Sequence, residues 1–463
     1  MPRGIIRGVT RRLLPYLLFG AFAAASFGAI RSYDFFWQLA TGRWIVEHRA
    51  LPLTDPFALA SARTEWIDGE WLYEVVLYGA HSLLGLSGLS FVKGLLCAAI
   101  FTCAFLFARR NGDEGTALLA TAVAFAGAAP LLDLRPSAVA ALLVVLMLGA
   151  RRTWAKVLIT IVWVNVHPSA LLAPIVGAVH APRTGGDRLK PVLRSASLCA
   201  LALLVNPHGY KAVLAPIELT AFVNSGAFVN AEWLPSLPGQ FPLLYPSIAA
   251  AVALYALQPQ RDWVRVALLA MFAFLAVRHV RNQPLFFAAL PLLVPLPPLR
   301  PVIAYAAAAI SVLLIGIATD HRPGVPPERF PVAAMAKLKA ANVQGNIYNA
   351  DQFGGYLIWS FYPERRVLTD GRNELYRDFI PEWQQARVDS RKWNALLQKY
   401  DIAIAVEEHR APLNVIDART GKPTEMPAHL AYWPKKDWVM IAEDEAAMVF
   451  ALRRVSSRAR GGR

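Results

Sequence analysis

Cysteine is nearly absent from this sequence, and charge of either sign is scarce. Three cysteines occur in 463 residues: Cys97, Cys103 and Cys199, each inside an apolar run. None has metal-ligand spacing and the C-terminal part has none, which excludes a disulfide framework there and reads the three as small core residues. There is no Walker sequence, no GxGxxG dinucleotide fingerprint, no HExxH pair and no nucleophile elbow. The missing Walker sequence argues against an ATP-driven pump. Charged residues make up 17% of the chain, against about 25% in a soluble domain. Acids are rarest in the first two thirds: residues 1–319 hold 14 Asp and Glu against 25 Lys and Arg. Half of those acids, Asp34, Glu47, Asp55, Glu65, Asp68, Glu70 and Glu74, crowd into one short stretch.

The chain is instead rich in apolar residues, 56% of the total with a mean hydropathy of +0.38. Before residue 320 they gather in runs near the length of about 17–25 residues that crosses a bilayer. This predicts an α-helical polytopic membrane protein. Spans are expected near 12–31, 84–108, 115–133, 136–150, 154–165, 168–181, 192–206, 241–258, 263–280, 284–299 and 301–319. Basic residues cluster at Arg3/Arg7/Arg11/Arg12, Arg109/Arg110, Arg151/Arg152/Lys156, Arg183/Arg188/Lys190/Arg194 and Arg261/Arg265. They fall on one, cytoplasmic side only if 154–181 crosses twice, broken at Asn165–Ser169. That gives about eleven spans, a cytoplasmic N-terminus read as an uncleaved signal-anchor, and a C-terminal domain outside. The net charge of +15 is scattered over inter-helix loops. It points to a lipid surface or a phosphate-bearing lipid, not to nucleic acid.

Three regions are expected: a membrane domain over 1–319 with an outer first loop at 32–83, a soluble α/β domain over 320–455, and a basic, disordered tail over 456–463. In the first loop, Trp37–Ala50 has the spacing of an interfacial helix anchored by Trp37, Trp44 and Ile45, and Glu70–Leu84 resembles a second. In the C-terminal domain a helix is expected over Pro331–Ala341. Strands are expected over Asn346–Ala350, Tyr356–Phe361, Arg366–Thr369 and Ile402–Val406, followed by a hairpin around Glu443-Asp444-Glu445. Helix is expected near Pro381–Lys399.

Several polar residues on the predicted outer side carry candidate chemistry. Asp34 follows directly on the first apolar run, and a carboxylate at that boundary is costly. It reads either as a base that deprotonates or orients an acceptor hydroxyl, or as the cap of the helix behind it. Arg278, His279, Arg281 and Asn282 close a span. Arg278 and Arg281 would share a face of a continuing helix and could grip one phosphate, or else snorkel to headgroups. Asn165 and His167, and Asn206 and His208, are polar breaks that either hydrogen-bond a ligand or cap short helices. Glu232 and Trp233 offer a carboxylate and a stacking ring to a sugar, or an interfacial anchor. Asp68 and Glu70 are a possible second acid site, and Arg135 stands in another outer loop. Phe353-Gly354-Gly355-Tyr356 and Asp370-Gly371-Arg372 stand out in the soluble domain, the latter as charges for a membrane-facing rim.

Taken together, the segments Asp34–Ile45, Leu51–Phe57, Glu70–Val75, Trp163–His167, Asn206–Gly209, Glu232–Pro235, Arg278–Asn282, Phe353–Trp359 and Asp370–Arg372 resemble a group of bacterial polytopic proteins. That group is similar to the GT-C superfamily of glycosyltransferases, which includes protein O-mannosyltransferases and aminoarabinose transferases. The resemblance implies an inner-membrane hexosyl- or pentosyltransferase with a polyprenyl-phosphate sugar donor and a glycan, lipid or protein acceptor. Asp34 would then take the place of the superfamily's first-loop acid. This acid stands alone rather than in an Asp-x-Asp or Asp-Glu pair, and Gln38 stands where relatives often have His; both argue against a bound divalent metal. The rival classes are a transporter or flippase of a lipid-linked envelope precursor, and a scaffold with an exported binding domain. Polar residues gathered on one side of the membrane favour the enzyme over the transporter.

Overall fold

The computed structural model describes residues 2–180, 189–226, 230–416 and 422–453. The expected tail at 456–463 and the basic residues Arg183 and Arg188 lie outside these. Each of the eleven apolar segments carries helix, but helix alone does not fix the number of crossings. Among the described residues, three stretches are long and apolar enough to cross a bilayer: Trp71–Ala108, Glu114–Leu131 and Pro301–Ala318. Further apolar helices are shorter, among them Thr153–Val164 and Pro168–Val179 on either side of the Asn165–Ser169 break.

Two compact units divide the chain without following its order. One comprises Met1–Ile30, Ile67–Tyr73 and Ala80–Gly324; the other comprises Arg31–Trp66, Glu74–Gly79 and Val325–Arg463. The first loop, grouped with the spans on sequence, is thus shared between them. It forms helix α1 (Phe35–His48) and leads into α2 (Trp71–Ala108), which breaks at Gly85 with φ 66°.

In the helical unit the interior is aliphatic and aromatic, with the Phe22, Phe101 and Phe125 rings 4.4–6.0 Å apart. Three helices matter most for the site: α3 (Leu244–Ala256), α4 (Trp263–Arg278) and α5 (Gln283–Leu293). Every residue of α5 is buried. A helix apolar all round belongs at the centre, and α5 packs against Glu114–Ala128, Pro136–Gly149 and α4. The stretch 206–240, read on sequence as loop, contains a further helix, Lys211–Asn224, whose internal Pro216 disguises it.

The other unit is built on a four-stranded sheet. Its strands are β1 (Asn346–Asn349), β2 (Ile402–Glu408), β5 (Trp438–Glu443) and β6 (Ala447–Leu452), in the order β1-β2-β6-β5. A separate hairpin joins β3 (Pro412–Ile416) to β4 (Pro423–Pro427). β2 runs parallel to β1 and antiparallel to β6, with Val406 opposite Val449. The expected hairpin closes at Asp444, whose carboxylate accepts from the Ala446 and Ala447 amides at 3.0 and 2.9 Å. The expected helices appear at Val332–Ala341, Phe379–Arg387 and Ser390–Lys399.

Three expectations fail in this unit. Residues 356–361 are not a strand but part of helix α6 (Gly354–Phe361). Gly354, Gly355, Leu357, Ile358 and Phe361 are buried, and Gly354, Leu357, Ile358 and Phe361 among them keep the 3–4 spacing of one helix face. Arg366–Thr369 contributes only isolated bridges, through Val367 to Ala58 and Ile347. Helix α1 is not an interfacial anchor: every residue from Phe35 to Gly42 is buried, as is Ile45, and α1 packs on α6. Its aromatic residues serve the interior, with the Phe36 ring 4.8 Å from Tyr356 and 5.2 Å from Phe330.

Candidate functional site

Asp34 stands at the N-cap position of α1, yet its side chain makes no capping hydrogen bond. The backbone there is already helical (φ −72°, ψ −23°), which turns the carboxylate away from the free amides it would otherwise serve. Instead Oδ1 accepts from the indole Nε1 of Trp37 at 3.2 Å. A Cβ on Gly371 would lie 2.7 Å from the same oxygen. The half-buried carboxylate therefore rests against bare backbone, a fit that any side chain at 371 would spoil. The helix-cap reading is not what the structure builds.

Beneath Gly371 lies a buried charge network. Arg372 Nε donates to Asp370 Oδ1 at 2.8 Å, and Nη2 bridges Asp370 Oδ2 at 2.5 Å and Asp55 Oδ1 at 3.0 Å. Tyr376 Oη donates to Asp370 at 2.8 Å, and Ser61 donates to Asp55. Arg372 also lies 4.5 Å from the Trp66 ring centre. Asp370, Arg372 and Asp55 are all buried, so the Asp-Gly-Arg sequence is interior framework and not a charged rim. It fixes the turn on which Asp34 rests.

Two acids that sequence reasoning missed act on the same place. Burial raises the Asp351 carboxyl; the Asp370 charge adds to this, a Thr369 hydrogen bond opposes it, and Asp34 adds again, pushing it up to about 8. Asp351 is nonetheless an exposed residue, so solvent moderates that shift. Burial likewise raises Glu374, opposed by its own backbone amide and by Arg372 and supported by Asp370 and Asp34, to about 7. Both carboxyls therefore keep their protons to higher pH than an ordinary acid, which suits them to donate or hold a proton. A signal was available: Asp351 lies two residues before the Phe-Gly-Gly-Tyr segment and Glu374 two after Asp-Gly-Arg. Among the described residues no group of three or more His, Cys, Asp or Glu is arranged to hold a metal ion.

The helical unit carries a second cluster. Arg135 grips Glu232 with both terminal nitrogens, Nη2 to Oε2 at 3.2 Å. The Arg281 guanidinium lies 4.7 Å from the Trp233 ring centre. Burial raises Glu232, but the Arg135 charge and hydrogen bond and the Arg281 charge outweigh it and hold the carboxyl below its ordinary value. The segment is pinned to the end of α4: Ser236 N donates to Val277 O and Val280 N to Leu234 O, both at 3.0 Å. His279 is spent on this docking, its Nδ1 donating to Trp233 O at 2.6 Å. His167 lies within electrostatic reach of Arg281 and Arg135, while its Nδ1 accepts from Ser169 N at 3.1 Å.

Arg278 and Arg281 do not form a pair. Helix α4 stops at Arg278 and His279 is extended (φ −145°, ψ 129°), so the shared helical face is lost. Arg278 points outward to Asn224 Oδ1 at 3.4 Å; Arg135 is the second arginine that stands near Arg281. Asn282 turns back to Leu275 O at 3.3 Å. Asn165 is a clasp: its Oδ1 accepts from Trp71 Nε1 at 2.8 Å, and its Nδ2 donates to Ile161 O and Val205 O at 2.8 and 2.9 Å. Asn206 closes its own loop through Leu203 O, Gly209 O and the His208 amide, and His208 Nε2 is buried without a partner among the described residues. Asp68 is buried and accepts from the Glu70 amide at 2.9 Å, and Glu70 stands at the N-cap of α2 without a capping bond.

No protein-family model and no curated protein matches this chain. Among solved structures the chain is similar to the oligosaccharyltransferase of Archaeoglobus fulgidus. The apo form aligns with a TM-score of 0.55 at 11% identity, over 86% of this chain and 70% of that one. The form with an inhibitory peptide and a dolichol-phosphate gives 0.55 at 12%, over 90% and 74%. The form tethered to an acceptor peptide containing the NVT sequon gives 0.58 at 11%, over 92% and 75%. At this identity the likeness is one of fold alone: a mostly helical chain with a small sheet toward its C-terminus, which bears out the expected architecture in part, the about eleven crossings remaining open.

Proposed function

We propose that this chain is a membrane glycosyltransferase that moves a sugar from a polyprenyl-phosphate donor to an acceptor on the periplasmic side of a bacterial inner membrane. The observation that carries the reading is the Asp34 carboxylate, placed at the start of α1 but withheld from capping it and held by Trp37 Nε1. A hydrogen-bonded carboxylate that is not spent on capping its own helix suits a base. In the proposed reaction it takes the acceptor hydroxyl proton as the acceptor oxygen bonds the anomeric carbon and the bond from that carbon to phosphate oxygen breaks. Asp351 and Glu374 hold or return the proton. In the helical unit, Arg281 and Arg135 are assigned to the lipid phosphate, which leaves with its charge balanced by guanidinium groups. His167, Glu232 and Trp233 are assigned to the same face of that unit. Arg278, His279, Asn282, Asn165, Asn206, His208, Asp68 and Glu70 are support. The shared fold with an enzyme solved with a dolichol-phosphate supports a lipid-linked donor. The about eleven crossings, with the C-terminal domain outside, belong to this proposal. Mass spectrometry of polyprenyl-linked lipids from cells with and without the chain tests it: a sugar-loaded lipid should accumulate when the chain is absent. Identical lipid profiles together with full acceptor glycosylation would reject it.

A further inference from the structure

The helical unit has a groove far from the residues just assigned. Helices α3 and α4 line a cavity of about 290 Å³. Ile248 and Val252 form one wall, Leu269 and Ala273 the other, and Phe286 of α5 the floor. Alanines at 251, 256, 270 and 273 keep it open. The lining is almost wholly apolar, and Val252 and Trp263 on it are well exposed, so the groove opens sideways.

One end of the groove is charged. Arg261 lines it, with its Nε donating to Tyr255 O at 3.1 Å and its guanidinium 5.9 Å from the Trp263 ring centre. The neighbouring Arg265 is neutralised by Asp262 at 3.5 Å. Arg261 is exposed and has no carboxylate partner among the described residues. An apolar channel ending in a tryptophan and an unbalanced arginine matches a lipid with an anionic headgroup. The location separates it from the donor: the 16 residues of α4, at ~1.5 Å per residue, put about 24 Å between Arg261 and the Arg281 end. That distance approaches the hydrocarbon thickness of about 30 Å, so one phosphate cannot serve both ends.

We propose that the groove between α3 and α4 holds one acyl chain of an anionic diacyl phospholipid, with its phosphate at Arg261 and Trp263 at the rim. The proposal rests on the membrane reading of the chain but not on its catalysis. Native mass spectrometry of the full chain in detergent tests it, with phosphatidylglycerol, phosphatidylcholine, polyprenyl phosphate and inorganic phosphate as separate probes. One phosphatidylglycerol should be retained in preference to phosphatidylcholine. Arg261→Ala should cut that retention about fivefold, the effect of one basic side chain at an anionic surface. Ala270→Phe, at an exposed lining position, should fill the groove and release both phospholipids. Arg300→Ala and Asp34→Asn should change nothing, the latter separating this site from the proposed reaction. Equal retention of both phospholipids, unaltered by Arg261→Ala, would reduce the groove to ordinary lipid contact and overturn the proposal. Preference for polyprenyl phosphate, or displacement of the lipid by inorganic phosphate, would overturn it as well.

Discussion

Arg372 Nη2 lies 3.0 Å from Asp55 Oδ1, between residues 317 positions apart that are both shut off from solvent. The contact ties the first loop to the C-terminal sheet within one compact unit. It supports the turn that carries Gly371, and through it the seat of Asp34.

Removing the cation should cost more than removing one acid. Arg372→Met leaves Asp55 and Asp370 buried without their charge partner, a loss of about 3–5 kcal/mol for a broken buried pair. Asp55→Asn leaves Arg372 its contacts with Asp370 and should cost less. Thermal unfolding of the purified chain, followed by near-ultraviolet signal, gives the order. Equal melting points for both variants and the parent would show that the network contributes nothing to this unit.

Asp34→Asn should abolish sugar transfer and leave the melting point nearly unchanged, because the isosteric amide keeps an oxygen for Trp37 Nε1 and no capping bond is lost. Gly371→Ala should impair transfer with Asp34 intact, since the new Cβ would press on Oδ1 at 2.7 Å. Activity assays paired with melting curves check both. An active Asn variant would return Asp34 to a structural role.

How much of this was legible follows from the range of each interaction. The helical segments were readable because apolar runs declare themselves locally. Asp34 was readable because an acid at the end of such a run is conspicuous. The Asp55–Arg372 contact was not, since nothing near either residue names its partner. The Gly354–Phe361 helix was misread because Tyr, Ile, Trp and Phe favour strands, while packing against α1 selected the helical face. Arg278 and Arg281 were paired by assuming that the helix continues, and the extended His279 ends it. Asp351 and Glu374 looked like ordinary surface acids until the fold brought them within reach of Asp34.

The raised carboxyls set a pH dependence. Asp351 and Glu374 move from ordinary values of 3.8 and 4.5 to about 8 and about 7. The folded chain therefore holds protons that the unfolded chain releases earlier. Their stabilisation is complete below about pH 4 and is lost as pH rises toward 7–8. Melting points should fall between pH 5 and 8, and Asp351→Asn with Glu374→Gln should flatten that slope. The solvent exposure of Asp351 makes Glu374 the larger contributor. A parent slope of zero, or one that rises with pH, would remove these acids from the cluster.

Topology is tested by reporter fusions. A fusion after Arg188 should read cytoplasmic and one after Arg322 periplasmic, as required if Thr153–Val164 and Pro168–Val179 each cross. A cytoplasmic signal after Arg322 would mean a single crossing there and an even number of spans.

The two arginines at the end of α4 should part company. Arg281 stacks on Trp233 beside the Arg135–Glu232 pair, whereas Arg278 faces outward to Asn224. Arg281→Ala should weaken retention of polyprenyl phosphate in detergent tenfold to hundredfold, the loss of a hydrogen bond to a charged group at about 1.5–3 kcal/mol. Arg281→Lys keeps the charge but loses the planar fork that binds phosphate in two places, so its effect should be partial. That partial rescue separates phosphate binding from loosening of the 230–236 segment, which a lysine would not repair by charge alone. Arg278→Ala should bind the donor as the parent does. Equal losses at 278 and 281 would restore the pair that the extended His279 breaks, and would move the phosphate seat away from Arg135.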